Sequence, residues 1–148
     1  MLRNGITNAQ KAVDATYKAH GALKRGMGVQ KKVSAGIKMT AFPSVATEDG
    51  IFVVDRDNLA SGIDCAYTDR PDTAYDNIAS GELVKLVPYV FGETFYTDQY
   101  DEGISTGDNV AVGTDGKWEK LASGGTKYVS RGTITEAGVT YLVIEVVA

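Results

Sequence analysis

The chain has one cysteine, one histidine, one tryptophan and three prolines in 148 residues. A lone Cys65 rules out any intrachain disulfide, and with it the stapled scaffolds of small secreted domains, so the expected compartment is a reducing one. Zinc needs about four Cys/His ligands, or three and a water, and Cys65 and His20 are the only two such residues here. A Ser/His/Asp or Cys/His catalytic set would have to use His20, in a stretch that reads as too loose to hold a base. Cys65 has no helix start or basic neighbour to lower its pKa, and reads as a small half-buried residue. Long apolar runs are missing too. Nothing approaches the roughly 20 residues of a membrane helix, and MLRNGITNAQKAVDATYKAHG lacks a signal-peptide core, so a soluble chain without an export signal is expected.

Glycine is plentiful, at 17 residues, but its spacing matches no nucleotide loop. No G-x-x-x-x-G-K-[ST] occurs, and Gly26-Met27-Gly28 lacks the third glycine of a dinucleotide fingerprint. For calcium, Asp55, Asp57 and Asn58, or Asp98, Asp101 and Glu102, offer oxygens. The first group lacks the glycine and distal glutamate of a calcium loop, and both read as solvated acidic turns. No cofactor, metal or catalytic residue is expected.

Charge is abundant and unevenly placed. Residues 1–39 carry Arg3, Lys11, Lys18, Lys24, Arg25, Lys31, Lys32 and Lys38 against Asp14 alone, a net +7, while residues 40–148 carry −11. This predicts two domains of organisation: a basic arm over 1–39 and a β-rich body over 40–148, facing different surroundings. Within the arm, Asn8 is a candidate cap for a helix through Ala9, Val13, Tyr17 and Leu23, stopped by Gly26. Its apolar stripe is thin and Gly21 weakens it, so the arm reads as partly helical or extended. Its charge suits nucleic-acid phosphates, an acidic protein surface or a solvated tail. With Tyr17 as its only aromatic and an acidic body behind it, nucleic acid is the less favoured partner.

From Ile51 onward the texture is short β-prone runs: IFVV at 51–54, ELVKLVPYV at 82–90, TFYT at 94–97, NVAV at 109–112, KWEKL at 117–121, TKYVSRGTI at 126–134 and VTYLVIEVV at 139–147. Turn residues bound each one, which predicts a mainly β fold, a small antiparallel barrel or sandwich. The last run is apolar on both faces and reads as a central strand, folded back on 127–134 through Glu136-Ala137-Gly138. Thr114-Asp115-Gly116 is a second hairpin turn, Asp108 a turn former, and Trp118 a core or subunit-seam residue. Residues 55–81, rich in Asp, Asn, Ser and Gly, read as a long loop insertion, functional or an interaction surface.

ASGELVKL at 79–86, ETFYTDQYD at 93–101, GDNVAVGTDGKWEKL at 107–121 and the closing VTYLVIEVV resemble, in that order, the head decoration or capsid cement proteins of tailed bacteriophages. The likeness covers residues 79–148. It implies a non-enzymatic virion protein on the outer surface of the capsid, made in the host cytoplasm. It also implies a homotrimer that clamps neighbouring major capsid protein subunits, with an N-terminal arm laid along the shell. The eight cations of residues 1–39 are then the capsid-docking residues, meeting acidic patches on the shell, and no membrane is involved. Two other readings stand beside it: a nucleic-acid-binding β-barrel that uses the basic arm, and an enzyme using acids of the 55–81 loop.

Overall fold

Alternation of inward and outward side chains builds thirteen strands in the computed structural model, which describes residues 1–5, 12–56 and 76–148. They are β1 (Leu2–Asn4), β2 (Asp14–Lys18), β3 (Leu23–Lys24), β4 (Gly28–Ser34), β5 (Ile37–Ala41), β6 (Phe52–Asp55) and β7 (Asn77–Ile78). Then follow β8 (Leu83–Val87), β9 (Thr94–Thr97), β10 (Val110–Val112), β11 (Trp118–Lys120), β12 (Tyr128–Glu136) and β13 (Val139–Val146). Five of these close a barrel in the order β2-β5-β4-β6-β8, and β1-β9-β13-β12 form a four-stranded sheet. Two short pairs, β10-β11 and β3-β7, complete the fold. The mainly β expectation holds, and every run named from Ile51 onward is a strand. The barrel differs from an all-antiparallel one at a single seam, where β2 and β5 run parallel.

β6 is the wall shared by two apolar cores. Its Val53 faces a cluster with Phe95, Trp118, Tyr128, Leu142 and Ile144, while Val54 faces the barrel interior with Tyr17, Leu23, Val29 and Leu86. Both valines are at most 1% exposed, as the period of two requires for a strand covered on both sides. β13 lies between β9 and β12 and sends Leu142, Ile144 and Val146 into the larger core, and its hairpin with β12 closes through Ala137-Gly138. Trp118 is fully buried, donates Nε1–H to the Gly26 carbonyl at 3.0 Å, and meets Tyr128 edge-on at 5.0 Å. It is thus a core residue whose one polar atom is satisfied. The Asp115 turn also forms as expected, joining β10 to β11, with Asp115 Oδ1 accepting the Lys117 N–H.

The basic arm over 1–39 is the main correction. β2, β4 and β5 supply three of the five barrel strands, with Ala19, Leu23 and Val29 buried inside. No helix forms over 12–24: Asp14–Lys18 is a strand that pairs with β8. The physical reason is period. Each strand in this region buries only one or two side chains, so its apolar signal is faint, and glycines that suggest looseness are turn residues, such as Gly26 at φ 97° and Gly36 at φ 77°. Asn8 and Lys11 lie outside the described residues, as do Asp57, Asn58 and Cys65. Of the 55–81 insertion, the structure describes Asp55, Arg56 and residues 76–81, where β7 pairs with β3. Among the described residues no helix is long and apolar enough to cross a membrane.

Candidate docking surface

The cations of the first 39 residues divide into those consumed by the fold and those left on its surface. Arg25 is the most committed. Its Nε donates to Asp55 at 2.9 Å and its Nη1 to Asp76 at 3.2 Å, so one guanidinium ties the end of β6 to the start of β7. Burial pushes the Asp76 carboxyl up, against the pull of the Met1 ammonium and Arg25. Lys31 caps one end of the barrel. Its Nζ reaches Asp14 Oδ2 at 2.9 Å and stands 4.3 Å from the Phe52 ring centre and 5.1 Å from that of Tyr17. The Thr16 hydroxyl, then Lys31, hold Asp14 well below the usual carboxylate range. Arg3 pairs with Glu136 and lies near the rings of Tyr96 and Tyr141. All three side chains are held by contacts within the fold.

Lys18, Lys24, Lys32 and Lys38 are exposed, and none has a carboxylate partner among the described residues. Lys24 sits apart on β3. Lys38 is opposite Val33 on the side of the β4-β5 hairpin that continues the barrel interior, and reaches Thr16 Oγ1 at 3.4 Å. Lys18 and Lys32 are brought together from different strands. Lys18 is in register with Leu83 and with Met39, and Met39 with Lys32, so Leu83, Lys18, Met39 and Lys32 form one row across β8, β2, β5 and β4. Register partners share a face, and Tyr17 and Val84 beside them point into the barrel, so the row faces outward. At about 4.8 Å per strand it spans roughly 14 Å.

Beside this row is an open depression of about 400 Å³, lined by His20, Lys32, Ser34, Ile37, Met39 and Thr40 among others. Ile37 is 56% exposed and Leu83 is 61% exposed, unusual for large aliphatics that stand on one surface. His20 forms the inner wall. Its backbone N–H donates to Thr40 Oγ1 at 3.2 Å and its Nδ1 lies 2.7 Å from the same oxygen. Thr40 Oγ1 thus ties both the backbone and the ring of His20 to β5. Burial lowers the His20 pKa, consistent with a neutral ring packed edge-on against Phe42. The hairpin itself ends in Ala35-Gly36, with Ala35 at φ 51°, a two-residue turn that leaves residues 32–38 standing in solvent.

Sequence reasoning named Lys18 and Lys32 but missed Met39, Leu83 and Ile37, because only strand register brings them together. Of the acids weighed for calcium, Asp57 and Asn58 lie outside the described residues; among the described residues no group of three or more His, Cys, Asp or Glu side chains is placed to hold a metal ion. Asp98 instead accepts from the Met1 ammonium at 2.5 Å and from Gln99 at 2.9 Å. Asp108 Oδ2 accepts the Ser105 N–H at 2.8 Å, a turn contact. No protein family, curated protein or solved structure matches this chain.

Proposed function

We propose that this chain is a structural virion protein that binds the outer surface of a phage head and stabilises contacts between major capsid protein subunits, with no catalytic role. The observation that carries this reading is the outward face of the barrel, where Lys18 and Lys32 flank apolar Met39 with no carboxylate partner among the described residues. A rigid body with two cores and an unneutralised cationic face fits a protein that adheres to a large acidic surface. The likeness of residues 79–148 to capsid decoration proteins supplies the identity of that surface. Weak contacts of this kind gain strength when the shell repeats them and a homotrimer presents several at once.

The test is direct. Purified protein is mixed with heads that lack it, and the heads are imaged and heated. Regular outer density and a higher temperature of head disruption are expected, and no binding to any such head overturns the reading. Sedimentation tests the trimer separately: a monomer at all concentrations, on and off heads, removes that part.

A further inference from the structure

We infer that the row Leu83-Lys18-Met39-Lys32 and the depression beside it form a docking site for an extended, acidic protein segment that carries an apolar anchor between carboxylates. The alternation is the argument. Along the row an aliphatic, a cation, a thioether and a second cation follow one another at strand spacing. A partner with carboxylates alone would leave Leu83, Met39 and Ile37 in water, and a purely apolar partner would desolvate two ammonium groups without pairing them. A segment with both kinds of side chain satisfies both. Its anchor enters the depression at Met39 and Ile37, where His20, Ser34, Thr40 and the rim ammonium of Lys32 are the polar lining.

Two other occupants fit less well. Nucleic acid meets a surface with no aromatic ring in the row to stack a base, on a chain whose residues 40–148 carry −11. A second copy docking by this same face sets lysine against lysine, the device by which exposed strands avoid pairing with themselves. The site rests on the docking reading only in making the shell the source of the segment, and the hairpin geometry stands without it.

The experiment uses the full chain with 13C-methyl methionine and a synthetic nine-residue peptide of alternating Asp and Leu, with Asn-Leu and Lys-Leu versions as controls. The Met39 methyl and His20 ring signals should shift on titration with the Asp-Leu peptide, while buried Met27 and Trp118 stay in place and report that the fold is intact. Lys18→Glu/Lys32→Glu should weaken binding by at least tenfold, Lys18→Gln/Lys32→Gln by less, and higher salt should weaken the native chain. The inference is overturned by an unmoved Met39 at millimolar peptide or by equal binding of the Asn-Leu peptide. It is also overturned by an equal Met39 shift with a DNA oligonucleotide, or by self-association that buries Met39 without peptide. Heads that bind while the peptide does not remove this site and leave the proposed function standing. Peptide binding without head binding does the reverse.

Discussion

Gly28→Ala tests whether the barrel and the larger core are joined as described. Gly28 begins β4, pairs with Val53, and donates its N–H to the Gly116 carbonyl at 2.9 Å, so its outer face is pressed against β10. A Cβ there would sit 2.2 Å from Val112 Cγ2, 3.1 Å from Cγ1 and 3.2 Å from Ile51 Cγ2. Carbon atoms settle at about 3.5–4 Å, so Val112 must retreat by more than about 1 Å. It has nowhere to go: it is fully buried, its backbone exchanges two hydrogen bonds with Thr47, and its branched side chain has few rotamers. The φ of Gly28 is not among the positive ones, so alanine costs nothing in backbone strain and on entropy alone would stabilise by about 0.4–1 kcal/mol. Overpacking should win and leave a net loss of about 1–3 kcal/mol. Val112→Ala alone should cost about 2 kcal/mol for two lost methyls and their cavity. In the double variant the new methyl occupies the vacated space, so the pair should be at least about 1 kcal/mol less destabilised than the sum. Urea unfolding followed by Trp118 fluorescence measures all three, and each kcal/mol corresponds to roughly 2–4 °C in a thermal melt. Gly28→Ala within about 0.5 kcal/mol of the native chain, or strict additivity, would refute this packing.

Other consequences are quicker to check. Ala35→Gly and Ala137→Gly each relieve an alanine held at positive φ in a two-residue hairpin turn, and should raise stability by about 0.5–1 kcal/mol in the same unfolding assay. Trp118→Phe leaves the Gly26 carbonyl with Thr97 Oγ1 as a remaining donor, so beyond the lost ring volume the missing hydrogen bond should cost only about 1 kcal/mol. His20 has a folded pKa below its ordinary 6.5, so as pH falls through that value the unfolded chain takes up a proton that the folded one resists. Stability should therefore drop between pH 7.5 and pH 5 more in the native chain than in His20→Gln, and equal slopes would reject the buried neutral ring. Glu119 has the opposite sign: burial, then Asp101 and Asp115, raise its pKa, so Glu119→Gln should be neutral or stabilising at pH 7 and lose that advantage at pH 4.

The C-terminal half was legible because its strands carry Val, Ile, Tyr and Phe at period two and its turns carry Asp-Gly or Ala-Gly. Phe95, Trp118, Leu142 and Ile144 then fall into one core on pattern alone. β4 was not legible, because Val29 is its one fully buried aliphatic and Lys31, which also points inward, reads as a surface residue although it caps the barrel over Phe52. The docking row was out of reach for another reason. Lys18 and Leu83 are 65 positions apart in the chain, and a slip of one residue in any of three ladders would turn a member of the row to the other face. Register is a property of the packed sheet, and composition does not carry it.

The charge imbalance itself changes meaning once partners are known. A +7 segment beside a −11 segment reads as two bodies in different surroundings. Yet Arg3 pairs with Glu136, and Arg25 with Asp55 and Asp76, each a contact between the first 39 residues and the rest. Part of the imbalance is thus attraction within one fold, which draws the first strands onto the body. Such pairs are worth little each at the surface, roughly 0–1 kcal/mol. Subtracting them, and the Lys31–Asp14 pair within the segment, leaves Lys18, Lys24, Lys32 and Lys38 as the described cations of this segment that the fold does not neutralise, and two of the four flank the same apolar side chain. A cation that serves only solubility needs no particular neighbour, whereas Lys18 and Lys32 reach Met39 from opposite strands, which makes that row the place to look for whatever this protein holds.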